Sequence, residues 1–200
     1  MKINHPTNMT KLSQRSFIAI LVLAAVAVTL APFSLQARAP KTEDELIADL
    51  ASPKDSVVAE SLQKLEKDYP NSPKSVPAIK NLLGDPRPKV ARKAARVLGA
   101  VNADVSDADL AKICELLKSP DKSTIIDGLK ALRGLKSKSV IPQMLPLLKN
   151  PDKNVIRDTI RTLAVVGDNS LVPTLKPFLE FPDLAVQKDA ADAIGILKEK

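Results

Sequence analysis

The sequence has no tryptophan, one tyrosine (Tyr69), one histidine (His5) and one cysteine (Cys114). Each scarcity removes a class of function. A chain this poor in aromatics lacks the stacking platforms on which single-stranded nucleic acid is bound. One cysteine cannot close an internal disulfide, and one histidine near the start cannot build a histidine metal site or a Cys–His pair in a domain further along. Cys114 lies in "ADLAKICELLK" among Leu110, Ile113 and Leu117 and reads as a small buried hydrophobe. A reactive thiol there would need a base or an electropositive pocket. Also missing are G-x-S-x-G, a phosphate-binding glycine loop and H-E-x-x-H, and "DADV" and "PDKN" lack the spacing and glycine of a calcium loop. The glycines are expected at helix ends, and the acids read as caps and solvated surface. No catalysis, cofactor or metal is therefore expected.

What is present divides at about residue 40. Residues 1–39 carry Lys2, Lys11, Arg15 and Arg38 with no acid, an apolar run from Phe17 to Leu30, and small residues in "SLQARA". That is the three-part layout of a secretory signal. The run is shorter than the roughly 20 apolar residues a membrane span needs, and Pro32 interrupts it. Cleavage is expected after Ala39 or, because Pro40 is an awkward residue to follow a cut, after Ala37. An uncleaved N-terminal anchor is the alternative. Either way the remainder is expected outside the cytoplasm, periplasmic or secreted. The charge picture changes with the leader removed: the formal net charge of +7 falls to 26 basic against 23 acidic residues. A globally basic nucleic-acid binder is no longer implied.

The remainder is one unit repeated five times. Segments align on Pro53, Pro86, Pro120, Pro151 and Pro182, at spacings of 33, 34, 31 and 31. Four residues after each proline stand Val57, Val90, Thr124, Val155 and Val186. Nine after stand Leu62, Ala95, Leu129, Ile160 and Ala191, and twelve after stand Leu65, Leu98, Leu132, Leu163 and Ile194. These spacings keep one apolar face along a helix. A shorter helix precedes each proline. The first opens with Thr42 and Glu45 as a capping box, and three carry Pro77, Pro142 or Pro173 in the first turn, where an amide has no helical partner. Pro146 and Pro177 fall one turn later and are expected to bend their helices. The Asp or Ser beside each repeat proline is expected to cap the helix that follows. No pair of short helices can bury its own apolar stripe, so the units must stack. The predicted fold is all-α, an α-solenoid of about five two-helix repeats over residues 43–198.

The stretch "LLGDPRPKVARKAARVLGAV" resembles HEAT repeats, among them the short bacterial type named after phycobilin lyases. The resemblance rests on Asp85-Pro86, Val90-Ala91-Arg92, Ala94-Ala95 and Leu98-Gly99, and next on Val155, Arg157, Leu163 and Gly167. It covers nearly the whole mature chain and implies a fold more than a function. The family often places one Arg per repeat just after the Val. Arg92 and Arg157 keep it, Lys188 approximates it, and Ala59 and Ile126 break it, so repeats one and three should pack less regularly. The resemblance also implies that the second helices line a concave side. Enzymes of this family handle a linear tetrapyrrole, but the scarcity of aromatics and histidine gives that activity no support here.

On the face opposite the apolar stripe, three rows result. The first is Ala59, Arg92, Ile126, Arg157 and Lys188. The second is Glu60, Lys93, Asp127, Asp158 and Asp189. The third is Gln63, Arg96, Lys130, Arg161 and Asp192. Asp127 with Lys130 and Asp158 with Arg161 are spaced for i,i+3 pairs within one helix. Repeat two breaks the pattern with Lys93, beside Lys89, Arg92 and Arg96. This face reads either as a solvated surface or as a site for an acidic ligand: a partner's carboxylates, an anionic polymer or a lipid headgroup. The predicted partner-binding residues are Lys89, Arg92, Lys93, Arg96, Lys130, Arg157 and Arg161. The expected function is a non-catalytic protein-binding or scaffold module whose partner carries an acidic surface. Nucleic acid is disfavoured, and membrane contact follows only if residues 1–39 are retained.

Overall fold

The computed structural model describes residues 40–200, and the leader with its two cleavage positions and His5 lies outside them. Among the described residues there are ten α-helices and no strand. They form five pairs. The first members are α1 (Glu43–Asp49), α3 (Val76–Asn81), α5 (Asp107–Glu115), α7 (Ile141–Met144) and α9 (Val172–Leu175). The second members are α2 (Asp55–Asp68), α4 (Pro88–Ala100), α6 (Lys122–Leu135), α8 (Lys153–Val166) and α10 (Leu184–Lys198). Each second helix packs on the next, α2 on α4 through to α10, and the first helices cover one side of that row. A single hydrophobic core runs from Leu46 to Leu197.

The repeat proline works with the residues on both its sides. The side-chain oxygens of Ser52, Asp85, Ser119 and Asn150, each just before the proline, accept the amide of the residue just after it, at 2.8–3.2 Å. Proline itself has no amide and fixes φ, so the turn closes around it. The residue after the proline then caps the helix in three repeats. Asp121 accepts from Ser123 and Thr124, Asp152 from Asn154, and Asp183 from Ala185 and Val186. Helices α2 and α4 have Lys54 and Arg87 at their N-cap positions and no side-chain cap. The expectation that any Asp or Ser beside the proline caps the helix thus needs correcting. The residue before it holds the turn, accepting the amide of the residue after the proline.

The first helices begin as the sequence leads one to expect. Thr42 and Glu45 form a capping box, as do Ser106 and Asp109, and Pro77, Pro142 and Pro173 sit in first turns. Pro146 and Pro177 do more than bend their helices. α7 and α9 stop at Met144 and Leu175, and the chain continues as 3-10 turns over Leu145–Lys149 and Lys176–Glu180. A proline there cannot donate the i to i−4 bond, and the tighter winding avoids needing it.

At the twelfth position Leu65, Leu98, Leu132, Leu163 and Ile194 are all buried. At the ninth, Leu62, Ala95, Leu129 and Ile160 are buried, while Ala191, on the last described helix, is exposed. At the fourth, Val90, Val155 and Val186 are buried, but Val57 and Thr124 are only half-buried. In those two repeats burial passes to the next residue, Val58 or Ile125. They are the repeats whose first-row residue, Ala59 or Ile126, is not basic. Ile126 packs partly against the core, which widens the apolar face of α6 by one position.

Helices α4 and α6 approach backbone to backbone. A Cβ built on Gly134 would lie 2.0 Å from the Gly99 carbonyl oxygen, and one on Gly99 would lie 2.5 Å from the Ala131 Cα. Only glycine fits, because the obstacle is backbone. Gly128 and Gly195 lie inside α6 and α10 rather than at helix ends. A Cβ on Gly128 would press on Leu116 and Leu117 at 3.2 Å.

Candidate functional site

The three rows lie on the second helices, and their pairing runs between repeats. From the first row, Arg92 Nε reaches Asp127 of the next repeat at 3.3 Å, and Arg157 Nε reaches Asp189 of the next at 2.7 Å. Where Ile126 interrupts this row, Arg133 further along α6 reaches Asp158 at 3.6 Å. From the third row, Arg161 also reaches forward to Asp189, at 2.9 Å. The expected i,i+3 pairs are therefore not the ones that form. Asp127 and Asp158 face the preceding helix, where a long planar guanidinium spans the gap between stacked helices and donates along its fork. At the two extremes the rows pair along their own helix, Glu60 with Lys64 at 2.7 Å and Lys188 with Asp192 at 2.6 Å.

The rung between repeats one and two differs. Its first-row residue is Ala59, and the residue it faces is Lys93. Lys89, Arg92, Lys93 and Arg96 converge with Ala59 and Asp127 around a shallow depression of about 310 Å³. Two of these cations have partners: Arg92 has Asp127 and, at 3.5 Å, Asp121, while Arg96 turns back to Glu66 at 3.4 Å. Among the described residues Lys89 and Lys93 form no ion pair within 4.0 Å. Burial, and then the charge of Arg96, push the Lys93 ammonium below the usual lysine value, with Glu66 opposing. An ammonium so placed gains from any anion brought close to it.

Of the seven residues singled out in the sequence, Lys89, Arg92, Lys93 and Arg96 come together here. Lys130 stands exposed on the next helix. Arg157 and Arg161 lie further along and are committed to Asp189, whose carboxylate is buried between them. Sequence reasoning set Ala59 and Asp127 in their rows without assigning them to this site, and it missed Glu66. The signal for Ala59 was available, since the repeat alignment sets a short neutral residue opposite the one lysine of the second row.

A larger groove, about 660 Å³, opens on the first-helix side between repeats three and four, floored by Leu110, Cys114, Leu117, Val140 and Leu147. Cys114 is buried, as its neighbours suggested, and burial raises its thiol pKa, which disfavours the thiolate. Among the described residues no group of three or more His, Cys, Asp or Glu could hold a metal ion, and no helix is long and apolar enough to cross a membrane.

The same stack of helix pairs occurs in known structures. The CpcE and CpcF complex of phycocyanin lyase from Nostoc sp. PCC7120 superimposes with TM-score 0.69 at 23% identity, over 84% of this chain and 70% of that one. An engineered protein superimposes with TM-score 0.62 at 19% identity, over 79% of this chain and 80% of that one. A designed armadillo repeat protein in complex with the peptide (KR)4 gives TM-score 0.55 at 15% identity, over 76% of this chain and 80% of that one. At these identities the likeness is one of fold. No protein of curated function matches the sequence. The family profile described as HEAT repeats matches residues 43–133 and 141–200. With its five stacked helix pairs and that match over most of its length, the chain belongs to the HEAT-repeat family.

Proposed function

We propose that this protein is an exported, non-catalytic binding module that presents its second-helix layer to a protein partner with an acidic surface. The carrying observation is the rung between repeats one and two. Asp127, Asp158 and Asp189 each receive an arginine from the repeat before, whereas Lys89 and Lys93 lack a carboxylate. An unpaired cation pair on a rigid helical frame supports recognition of carboxylates by complementarity. Repeat folds of this kind serve binding elsewhere: one structural neighbour is a designed armadillo repeat protein for modular peptide recognition. The leader in residues 1–39 supports export, and an uncleaved leader would instead display the solenoid on the membrane.

A lyase-type enzyme is the second reading, favoured by the phycocyanin lyase neighbour. Against it, the larger groove has an apolar floor, and its two acids, Asp107 and Glu115, are exposed, Glu115 in an ion pair with Lys118 at 2.7 Å. The test is affinity capture from intact cell envelopes with the wild type and with Lys89→Glu/Lys93→Glu. The double variant should lose the partner and keep its helical content. Undiminished capture would overturn the binding face. An immunoblot checks export: the chain should shorten from 200 residues to about 161.

A further inference from the structure

The ladder of ion pairs gives the open rung a more specific meaning. In repeat four, Arg157 and Arg161 stand one turn apart and close on a single carboxylate, Asp189, supplied by repeat five. Arg92 and Arg96 hold the same two positions in repeat two. Only Arg92 finds the equivalent acid, Asp127, while Arg96 turns the other way to Glu66. On that side the first-row residue is Ala59, whose short side chain leaves the space that a long one would fill, and Lys93 faces it. The charge of the rung is thus inverted: the cation comes from the second row, and the anion that should meet it is missing.

Resting on the binding-module reading, we propose that the depression between Ala59 and Lys93 is a socket for one carboxylate side chain of an extended acidic segment in the partner. The carboxylate enters over Ala59 and is shared by Lys93, Lys89 and Arg96, as Asp189 is shared by two arginines within the chain. A single carboxylate suits the site better than a polyanion does. Asp127 lines the depression and Glu66 flanks it, so a run of phosphates along the face would meet both acids. Arg96, held to Glu66 at 3.4 Å in an exposed pair, can swing to the incoming group at small cost.

The full-length mature protein is titrated with a labelled peptide carrying one glutamate among neutral polar residues, read by fluorescence anisotropy, beside the variant Ala59→Arg/Lys93→Asp. That variant rebuilds inside the chain the pairing that Arg157 and Asp189 already make, so it closes the socket without disturbing the core. Wild type should bind the peptide, more weakly as salt rises. The variant should bind at least about tenfold more weakly, as expected for loss of one charged contact, with an unchanged or higher melting temperature. Equal binding by both proteins overturns the socket. So does tighter binding of a labelled RNA than of the peptide, or full displacement of the peptide by inorganic phosphate at matched charge. The two readings fail separately. If both proteins capture the same envelope partner, the binding module stands and the socket falls. If wild type captures none yet the peptide titration separates wild type from variant, the socket stands and the module reading falls.

Discussion

The rung between repeats four and five and the rung between repeats one and two are built from the same three positions, yet one is closed and the other open. In the closed rung a buried aspartate takes two arginines from the helix before it. In the open rung an alanine faces a lysine, and the cations left over gather around a depression. Two substitutions at facing positions make the difference, and neither would do so alone. An alanine opposite an aspartate would leave the acid for another arginine, as Arg133 takes Asp158 where Ile126 stands. A lysine opposite an arginine would simply repel. The pair together removes the repulsion and leaves charge that only an outside group can meet.

The open rung is not a fault in packing, and the largest effects should show this. Leu98 beneath the open rung and Leu163 in repeat four are both fully buried at the same position of the repeat. Leu98→Asp and Leu163→Asp each put a charge into the shared core, and each should cost more than about 4 kcal/mol. Thermal unfolding followed by circular dichroism should find both proteins unfolded or nearly so. If Leu98→Asp is much the milder, repeat two is loosely packed and its basic cluster is a symptom of that.

The next effect separates the rungs. Asp189→Ala leaves two arginines facing each other without their carboxylate and should cost about 1–3 kcal/mol, since the acid is buried but both arginines keep partial access to water. Lys93→Ala should stay within about 0.5 kcal/mol. Equal losses in chemical denaturation would mean that Lys93 already has an internal partner in solution, and the contrast between the rungs would collapse.

Much of this could be read before the structure. Five proline-anchored pairs, the ninth and twelfth positions and the prolines in first turns depend on spacing along one helix, and spacing is what sequence carries. Val57 and Thr124 went astray because the fourth position lies at the margin of the apolar stripe, where cover depends on the neighbouring helix, whereas the ninth and twelfth positions at its centre stay buried in both repeats. The ion pairs were misassigned for the same reason. Asp127 and Lys130 are close in sequence, but Arg92, 35 residues earlier, lies nearer in space. The requirement for Gly99 and Gly134 was equally hidden, since each is obliged by a backbone in another repeat. What the repeat alignment did carry was the basic exception at Lys93, because an exception to a periodic row is visible without coordinates.

Acid should act on the two halves differently. The Thr124 hydroxyl and amides hold the Asp121 carboxyl below its usual range, Lys122 does so most strongly for Asp152, and Lys153 for Asp183. Each folded value lies below the unfolded one. The stability they add is therefore present above about pH 4 and is lost as pH falls through the depressed values. Helices α6, α8 and α10 should fray at their starts, with faster amide exchange at Thr124, Asn154 and Val186. The start of α2, which has no carboxylate cap, should keep its exchange pattern. Uniform fraying would assign the caps no role in the acid response.

The smallest effect is the most informative about the ladder itself. Ala59→Arg alone sets a guanidinium beside Lys93 and should destabilise slightly. Lys93→Asp alone places an acid near Arg96 and Lys89 and should be nearly neutral. Together they create a pair like that of Arg157 with Asp189, and because the new pair is largely exposed the gain should be about 0–1 kcal/mol. The decisive quantity is the coupling between the two substitutions in a double-mutant cycle, measured by denaturant unfolding at low and high salt. A favourable coupling that shrinks with salt means the rung can be closed from within. It also means that the natural sequence keeps it open with both Ala59 and Lys93. Zero coupling at low salt would show that these two positions do not meet across the rung, and the depression would then be shaped by Lys89 and Arg96 alone.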